Sequence, residues 1–236
     1  MPTILLIRHG ESQANAGLPT SSPESTELTE RGWEEARRVA QEMRTSYPAL
    51  DLVVTSRCRR ALQTAEKTRK LFGDRKIPAP VWPVHEFSYL SSWGKRISTV
   101  EERRPAVFQY WDRADPVYVD GPQAESFVTF IERVREVKEC LDTTNGTTAV
   151  FSHHQFICAL LWLACQHTPS ICTQTMQAFK RFLDRHPLAN GAIVRVQFAR
   201  GGKPWRYEVV TSHLEESRQG EKPALHLSSL GTAAVI

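Results

Sequence analysis

Thr3-Ile4-Leu5-Leu6-Ile7-Arg8-His9-Gly10-Glu11-Ser12 is the stretch that decides the fold. Thr3 to Ile7 is a short, continuous apolar run, the pattern of a strand buried on both faces of a parallel sheet. It stops abruptly at Arg8-His9-Gly10-Glu11, and the polar segment holding Pro19, Ser21, Ser22, Pro23 and Ser25 reads as a loop. Thr29 then has the chemistry of an N-cap, with Trp33, Ala36, Val39, Ala40 and Met43 on one helical stripe behind it.

The same unit recurs down the chain. Leu52 to Thr55 reads as a second buried strand, and a helix follows Ser56 through about Leu71. Val81 to Val84 reads as a short strand between prolines. Glu86 to Glu125 is the least regular stretch, expected to form a lid or substrate-pocket insertion. A helix is expected over Ser126 to Leu141, a turn at Asn145-Gly146, a strand at Thr148 to Phe151 and a buried helix at His153 to Cys165. A further helix covers Cys172 to Leu183, and strands at Ala192 to Phe198 and Trp205 to Val210 flank a Gly201-Gly202 turn. This alternation predicts an α/β fold, a three-layer αβα sandwich around a largely parallel central sheet. A single domain is expected over 1–213, with 86–125 as its insertion and 214–236 as a loosely ordered tail. In such sheets ligands bind beyond the carboxyl ends of the strands. Arg8-His9, Ser56 and Ser152-His153 each lie just past an apolar strand.

The composition bounds the function. Among 236 residues, 30 Lys and Arg against 26 Asp and Glu leave a net charge of +4, too mild to point to nucleic acid. The longest apolar run, Phe156 to Cys165, is too short to span a membrane. No export signal precedes Arg8, and five cysteines without a CxxC pair fit a reducing compartment, so a cytoplasmic location is expected.

Several residues could carry chemistry. A histidine at a strand mouth, beside an arginine and before a glycine that lets backbone approach a ligand, is placed to be used. Arg57, Arg59 and Arg60 sit at a strand-to-helix junction. Two of them read best as a solvated face, whereas Arg60 is the better ligand contact, because a guanidinium fork matches phosphate or carboxylate. His153 reads by itself as a hydrogen-bonded structural histidine. Glu86 reads by itself as a loop carboxylate, or as a proton donor where partly buried. A zinc set of His9, His85, His153 and His154 lacks supporting Cys or carboxylate spacing, so no metal is assigned.

Taken together, Ile7-Arg8-His9-Gly10-Glu11-Ser12 with Asn15, Leu28-Thr29-Glu30-Arg31-Gly32, Arg60-Ala61 with Gln63-Thr64-Ala65, Glu86, Ala124-Glu125-Ser126-Phe127 with Arg133-Val134, and Ser152-His153 resemble the histidine phosphatase superfamily, the branch that holds phosphoglycerate mutases and fructose-2,6-bisphosphatases. The resemblance implies a phosphoglycerate mutase-like fold and a phosphatase that hydrolyses a phosphomonoester. His9 resembles the nucleophile that becomes phosphohistidine. Arg8, Arg60 and His153 resemble the cage around the transferred phosphoryl group, Asn15 a further phosphate contact, and Glu86 the general acid. No cofactor and no metal are implied. The expected partner is a small phosphorylated substrate, with no nucleic acid and no membrane; homodimers are common in the resembled family. A cofactor-dependent mutase is the alternative, but the Arg-Arg-Ser segment of the mutases is missing: Glu101-Glu102-Arg103-Arg104 runs into Pro105 and Ala106. A non-catalytic phospholigand binder is the other alternative, and it has no use for an acid such as Glu86.

The chain departs from the resembled pattern at Arg57 and Cys58, where the family has Pro and Leu, and at His154, where it has Gly. It departs also at Glu35, where Gln is common, and at Ala124, where Gly is usual. Arg57 is expected to make the mouth more basic, His154 to narrow the pocket, and Glu35 to be exposed and without effect. Phe87, Tyr89, Trp93, Phe108, Tyr110 and Trp111 could wall a substrate pocket or simply pack the insertion, and Lys95, Arg96, Arg103 and Arg104 could read a second charged group.

Overall fold

The computed structural model describes residues 2–73, 76–91, 97–165, 170–197 and 206–215. In chain order its elements are β1 (Thr3–Arg8), α1 (Glu30–Ser46), β2 (Leu50–Thr55), α2 (Arg59–Leu71), α3 (Val100–Arg113), α4 (Phe127–Asp142), β3 (Thr147–Ser152), α5 (His154–Cys165), α6 (Thr173–Arg185), β4 (Ile193–Gln197), β5 (Arg206–Val210) and α7 (Ser212–Glu215). The sheet order is β2-β3-β1-β4-β5. β1, β2 and β3 run parallel, and β4 is antiparallel to both of its neighbours. The sheet is therefore mixed, with one reversed strand in a largely parallel array.

The apolar runs explain the three layers. Alternate residues of a strand point to opposite faces. Ile4, Leu6, Val54, Val150, Val194 and Val196 enter one core with α4, α5 and α6. Leu5, Ile7, Val53, Ala149, Phe151 and Ile193 enter the other with α1 and α2. Both faces are covered, which is why these strands are apolar without alternation. The caps fall where side-chain chemistry puts them: Thr29 accepts from the Gly32 N–H at the start of α1, and Ser126 accepts from the Thr129 N–H at the start of α4. No helix among the described residues is long and apolar enough to cross a membrane.

Three expectations need correction. Val81 to Val84 is not a strand: the 78–82 segment runs beside β2, with Val53 and Thr55 N–H donating to the Pro78 and Pro80 carbonyls and Trp82 N–H to the Thr55 carbonyl, but Pro78, Pro80 and Pro83 lack the N–H groups that would extend this pairing into a ladder. The insertion is not irregular throughout: α3 occupies its middle, closed by a reciprocal capping box between Thr99 and Glu102. The expected tail begins inside α7. Residues 216–236, the Gly201-Gly202 turn, Trp93, Lys95 and Arg96 lie outside the described residues.

Candidate active site

Strand register assembles the site. β1 pairs Arg8 with Ser152 of β3, so His9 and His153, the next residues along, leave the sheet side by side. Their ring centroids lie 5.1 Å apart, in a T-shaped arrangement. β2 pairs Thr55 with Phe151, which sets Ser56 on the far side of His153. Arg60, on the first turn of α2, then reaches between the two rings. Its Nε–H donates to His9 Nε2 at 3.0 Å and its Nη2–H donates to His153 Nδ1 at 2.9 Å. A third N–H of the same guanidinium is given to the Pro23 carbonyl.

The hydrogen bonds set both tautomers. His9 Nδ1–H donates to the Gly10 carbonyl at 2.7 Å, leaving the Nε2 lone pair free of a proton and facing Arg60. His153 accepts at Nδ1, so Nε2–H donates to Ser56 Oγ at 2.9 Å. Both rings are buried, at 4% and 0% exposure. Burial first, then the Arg60 and Arg8 guanidiniums, holds His9 well below the usual imidazole range, against a smaller opposite pull from the Gly10 hydrogen bond. Burial first, then Arg60 and His9, does the same to His153. Both are neutral at physiological pH.

Glycine allows this packing at two positions. A Cβ on Gly10 would lie 2.4 Å from the Gly32 carbonyl oxygen, and a Cβ on Gly32 would lie 2.0 Å from the Glu11 carbonyl oxygen. The loop after β1 therefore presses backbone to backbone on the start of α1. The Gly10 N–H donates to Thr64 Oγ1 at 3.1 Å, and Gln63 Oε1 accepts from the Leu28 N–H at 2.8 Å, so the Gln63-Thr64 pair clips α2 to the same loop.

Glu86 sits half-buried in front of α5. Its carboxylate accepts from the Gln155 N–H at 3.3 Å and the Phe156 N–H at 3.2 Å, the free donors of that helix start. Arg133 fixes the loop that carries it. The guanidinium grips Glu125 with Nε at 3.2 Å and Nη2 at 2.6 Å, and Nη1 donates to the carbonyls of Pro83 and His85 at 2.7 and 3.0 Å. Ser88 N–H donates to Glu125 Oε1 at 2.9 Å and closes the network. The neighbouring His85 is pushed down to about 3 by burial, with Arg133 and Arg57 adding to the effect, so its imidazole is neutral and adds no cationic acid to the site.

The structure brings together His9, His153, Arg8, Arg60 and Glu86. Arg8 is held by the Leu188 carbonyl, and its Nε is buried with no partner. Asn15 joins from the rim: its Oδ1 accepts from the Ser12 N–H, the Ser12 hydroxyl and Asn190 Nδ2, at 3.2, 2.9 and 3.0 Å. Asn190 was not singled out in the sequence, yet its amide also donates to the His9 carbonyl at 3.1 Å and so ties Asn15 to the His9 backbone. Its only signal is the Asn-Gly pair at 190–191, which by itself marks a turn; Gly191 indeed takes a φ of +72°.

The expectations for His154 and Glu35 are overturned, while the residues given two readings take the structural one. Arg57 pairs with Glu24 at 2.9 Å and Arg59 with Glu27 at 2.8 Å, so neither adds free charge to the mouth. His154 turns away and donates to the His186 carbonyl at 3.0 Å instead of narrowing the pocket. Phe87, Tyr89 and Tyr110 are core residues, with Phe87 stacked 4.3 Å from Phe130, whereas Phe108 faces solvent. Arg103 turns onto the Ser98 carbonyl and hydroxyl, and Arg104 pairs with Glu101. Glu35 is not exposed, because it accepts the Glu11 N–H at 2.7 Å. Two open grooves of about 380 and 490 Å³ run along the rim loop, the larger lined by Ala14, Asn15, Gly17, Thr99, Val100 and Glu101. Neither is lined by the two imidazoles, whose intervening space Arg60 fills.

Comparison with known proteins adds independent observations. The family model for the histidine phosphatase superfamily (branch 1) matches residues 4–210. Phosphoglycerate mutase of Candida albicans is 29% identical over 116 residues, 48% of this chain and 47% of that protein. Adenosylcobalamin/alpha-ribazole phosphatase of Escherichia coli is 33% identical over 138 residues, 56% of this chain and 66% of that protein. The chain thus matches about half to two thirds of the length of these relatives. The crystal structure of a putative alpha-ribazole-5'-P phosphatase from Escherichia coli superposes with a TM-score of 0.66 at 23% identity, covering 90% of this chain and 98% of that one, a likeness of fold.

Proposed function

Because the chain belongs to the histidine phosphatase superfamily (branch 1), we propose that it is a phosphatase that hydrolyses a phosphomonoester through a covalent phosphohistidine on His9. The observation that carries this reading is the bridge of Arg60 between His9 Nε2 and His153 Nδ1, with His9 Nδ1–H fixed on the Gly10 carbonyl. In this reading the unprotonated His9 Nε2 is the nucleophile, and the guanidinium stands where charge will develop.

The steps follow from the geometry. A phosphoryl group displaces the Arg60 N–H groups from the two rings and accepts them on its own oxygens. Arg8 offers its unpartnered Nε–H, and Asn15 its amide NH2. Phosphoryl transfer spreads negative charge over the outer oxygens, and these donors stabilise it without reorganisation. The guanidiniums supply the positive charge that Mg²⁺ supplies at other phosphoryl-transfer sites. His9 Nε2 forms a bond to phosphorus as the P–O bond to the leaving group breaks, and Glu86 gives its proton to the departing oxygen. The Gly10 carbonyl stabilises the imidazolium that results. In the second half, water attacks phosphorus, Glu86 takes the water's proton, and the P–N bond breaks to release orthophosphate. Two easier steps replace one hard one.

The direct test is hydrolysis of a generic aryl phosphate by wild type and His9→Ala, with a rapid quench after labelled substrate. The expected result is turnover only in the wild type and an acid-labile, alkali-stable label on His9. Equal rates, or no turnover by the wild type, would overturn the reading. Sugar phosphates, phosphoglycerates, nucleotides and phosphoproteins all fit the chemistry so far. The missing Arg-Arg-Ser segment favours a hydrolase over a mutase, since Glu101-Glu102-Arg103-Arg104 runs into Pro105 and Ala106.

A further inference from the structure

Glu35, on the second turn of α1, belongs to none of the steps above, yet it is built into the same loop. Its side chain is 13% exposed. Oε2 accepts the Glu11 N–H at 2.7 Å and Oε1 accepts Arg31 Nε–H at 3.2 Å. Glu11 lies two residues past His9. The Glu35 Cβ also packs against Gly191, 3.4 Å from where a Cβ would stand, and the Gly191 N–H donates to the carbonyls of Arg8 and His9 at 3.1 and 3.2 Å. The Glu35 side chain therefore spans the two backbone segments beside His9, its Cβ against Gly191 and its carboxylate on the Glu11 N–H. A neutral amide oxygen would accept the Glu11 N–H equally well, so the negative charge is the part that the hydrogen bonding does not require.

That charge has one consequence for the site. After Glu86, Glu35 is the carboxylate that does most to sustain the charge of Arg8, whose guanidinium burial weakens. A fixed negative charge beside Arg8 offsets part of the field that holds a phosphate dianion. We propose that Glu35 is a positioning residue that anchors Glu11 and, through Arg8, weakens retention of orthophosphate, so that the product leaves. The inference rests on the phosphatase reading for its purpose, though not for its electrostatics.

The charged and titratable groups facing Glu35 are Arg8 at the end of β1, Glu11 on the loop after it, and Arg31 on α1 itself. His213 of α7 reaches the other side of Gly191, donating to its carbonyl at 3.0 Å, and burial holds that imidazole below its usual range. Burial pushes the Glu35 carboxyl up, and the Glu11 N–H and Arg31 pull it back. Its charge is thus lost at a higher pH than that of an ordinary carboxylate, so phosphate binding tightens toward acid by this route.

Orthophosphate binding, followed by calorimetry and as product inhibition, tests the proposal on the full chain. Glu35→Gln keeps the acceptor and removes the charge. It is expected to bind orthophosphate roughly threefold to tenfold more tightly at pH 8. The gap from wild type should close as pH falls and Glu35 protonates. Arg31→Ala leaves the carboxylate less compensated and should shift binding the other way. A Glu35 that is only a backbone anchor predicts that Glu35→Gln matches wild type at every pH; that result, or weaker binding by Glu35→Gln, overturns the proposal. Calorimetry needs no turnover, so an inactive wild type would sink the phosphatase reading and leave the charge effect to be judged by itself.

Discussion

Arg60 joins both imidazoles through a planar fork, so charge and geometry can be separated at this residue. Arg60→Lys keeps the cation but cannot serve His9 and His153 together. It should lower kcat by about a hundredfold or more with a smaller change in KM, measured on an aryl phosphate. A loss confined to KM would mean that Arg60 binds the ground state only. Glu86 is tested by leaving group. Glu86→Gln should slow hydrolysis of an alkyl phosphate far more than that of nitrophenyl phosphate, whose leaving oxygen needs no proton. Equal effects on both would place the acid elsewhere. Arg8-His9, Ser56 and Ser152-His153 were legible as a convergence because each follows an apolar strand, and strand ends must converge in a parallel sheet, whereas Glu86 and the role of His153 entered the site only through the family resemblance. Asn190 and Glu35 were not legible. Each acts through backbone groups of a segment distant in sequence, and no local pattern announces such a contact.

At the scale of elements, the sequence was most informative where burial is two-sided. The strands at Thr3–Arg8, Leu50–Thr55 and Thr147–Ser152 read directly from their apolar runs. The helix Val100–Arg113 did not, because only Arg103 and Tyr110 on it are buried and its apolar stripe is correspondingly thin. Its one clear signal was the Thr99 to Glu102 capping spacing. The extended Val81 to Val84 segment had the right residues but too few N–H groups. What positions Glu86 is likewise a pairing of elements: Arg133 of α4 holds the Pro83 and His85 carbonyls just before it while gripping Glu125. Arg133→Met should therefore lower kcat by roughly tenfold to a hundredfold on an alkyl phosphate and much less on nitrophenyl phosphate, the same signature as Glu86→Gln. Equal losses on the two esters would show a general loss of structure instead. The contact of α1 with the catalytic loop makes a sharper claim. Gly32→Ala drives a methyl to 2.0 Å from the Glu11 carbonyl, so it should cost at least about 2 kcal/mol in denaturant unfolding as well as activity.

The whole molecule carries the cost of keeping His9, the proposed nucleophile, uncharged, and that cost has a sign that can be measured. His9 and His153 are held below their usual range by burial and by the guanidiniums beside them. In the unfolded chain each titrates near 6.5. Above that pH both states are unprotonated and the two imidazoles contribute nothing to pH dependence. Below it the unfolded chain takes up protons that the folded one refuses, so stability falls as pH falls. Each imidazole that stays neutral costs up to about 1.4 kcal/mol per pH unit in this range. For a domain of this size each kcal/mol shifts Tm by roughly 2–4 °C. A clear drop in Tm is thus expected between pH 7 and pH 5, before most carboxylates titrate. Glu35, whose carboxyl is raised, works weakly in the opposite direction. His85 and His213 are held down by burial as well, so His9→Asn removes one of four such imidazoles among the described residues and should flatten the slope by about a quarter. Orthophosphate, which brings negative charge to the cage, should lessen the drop by letting the rings accept protons. A Tm independent of pH over this range would mean that both rings protonate in the folded protein. His9 would then have no free lone pair, and an attack on phosphorus from Nε2 could not be its role.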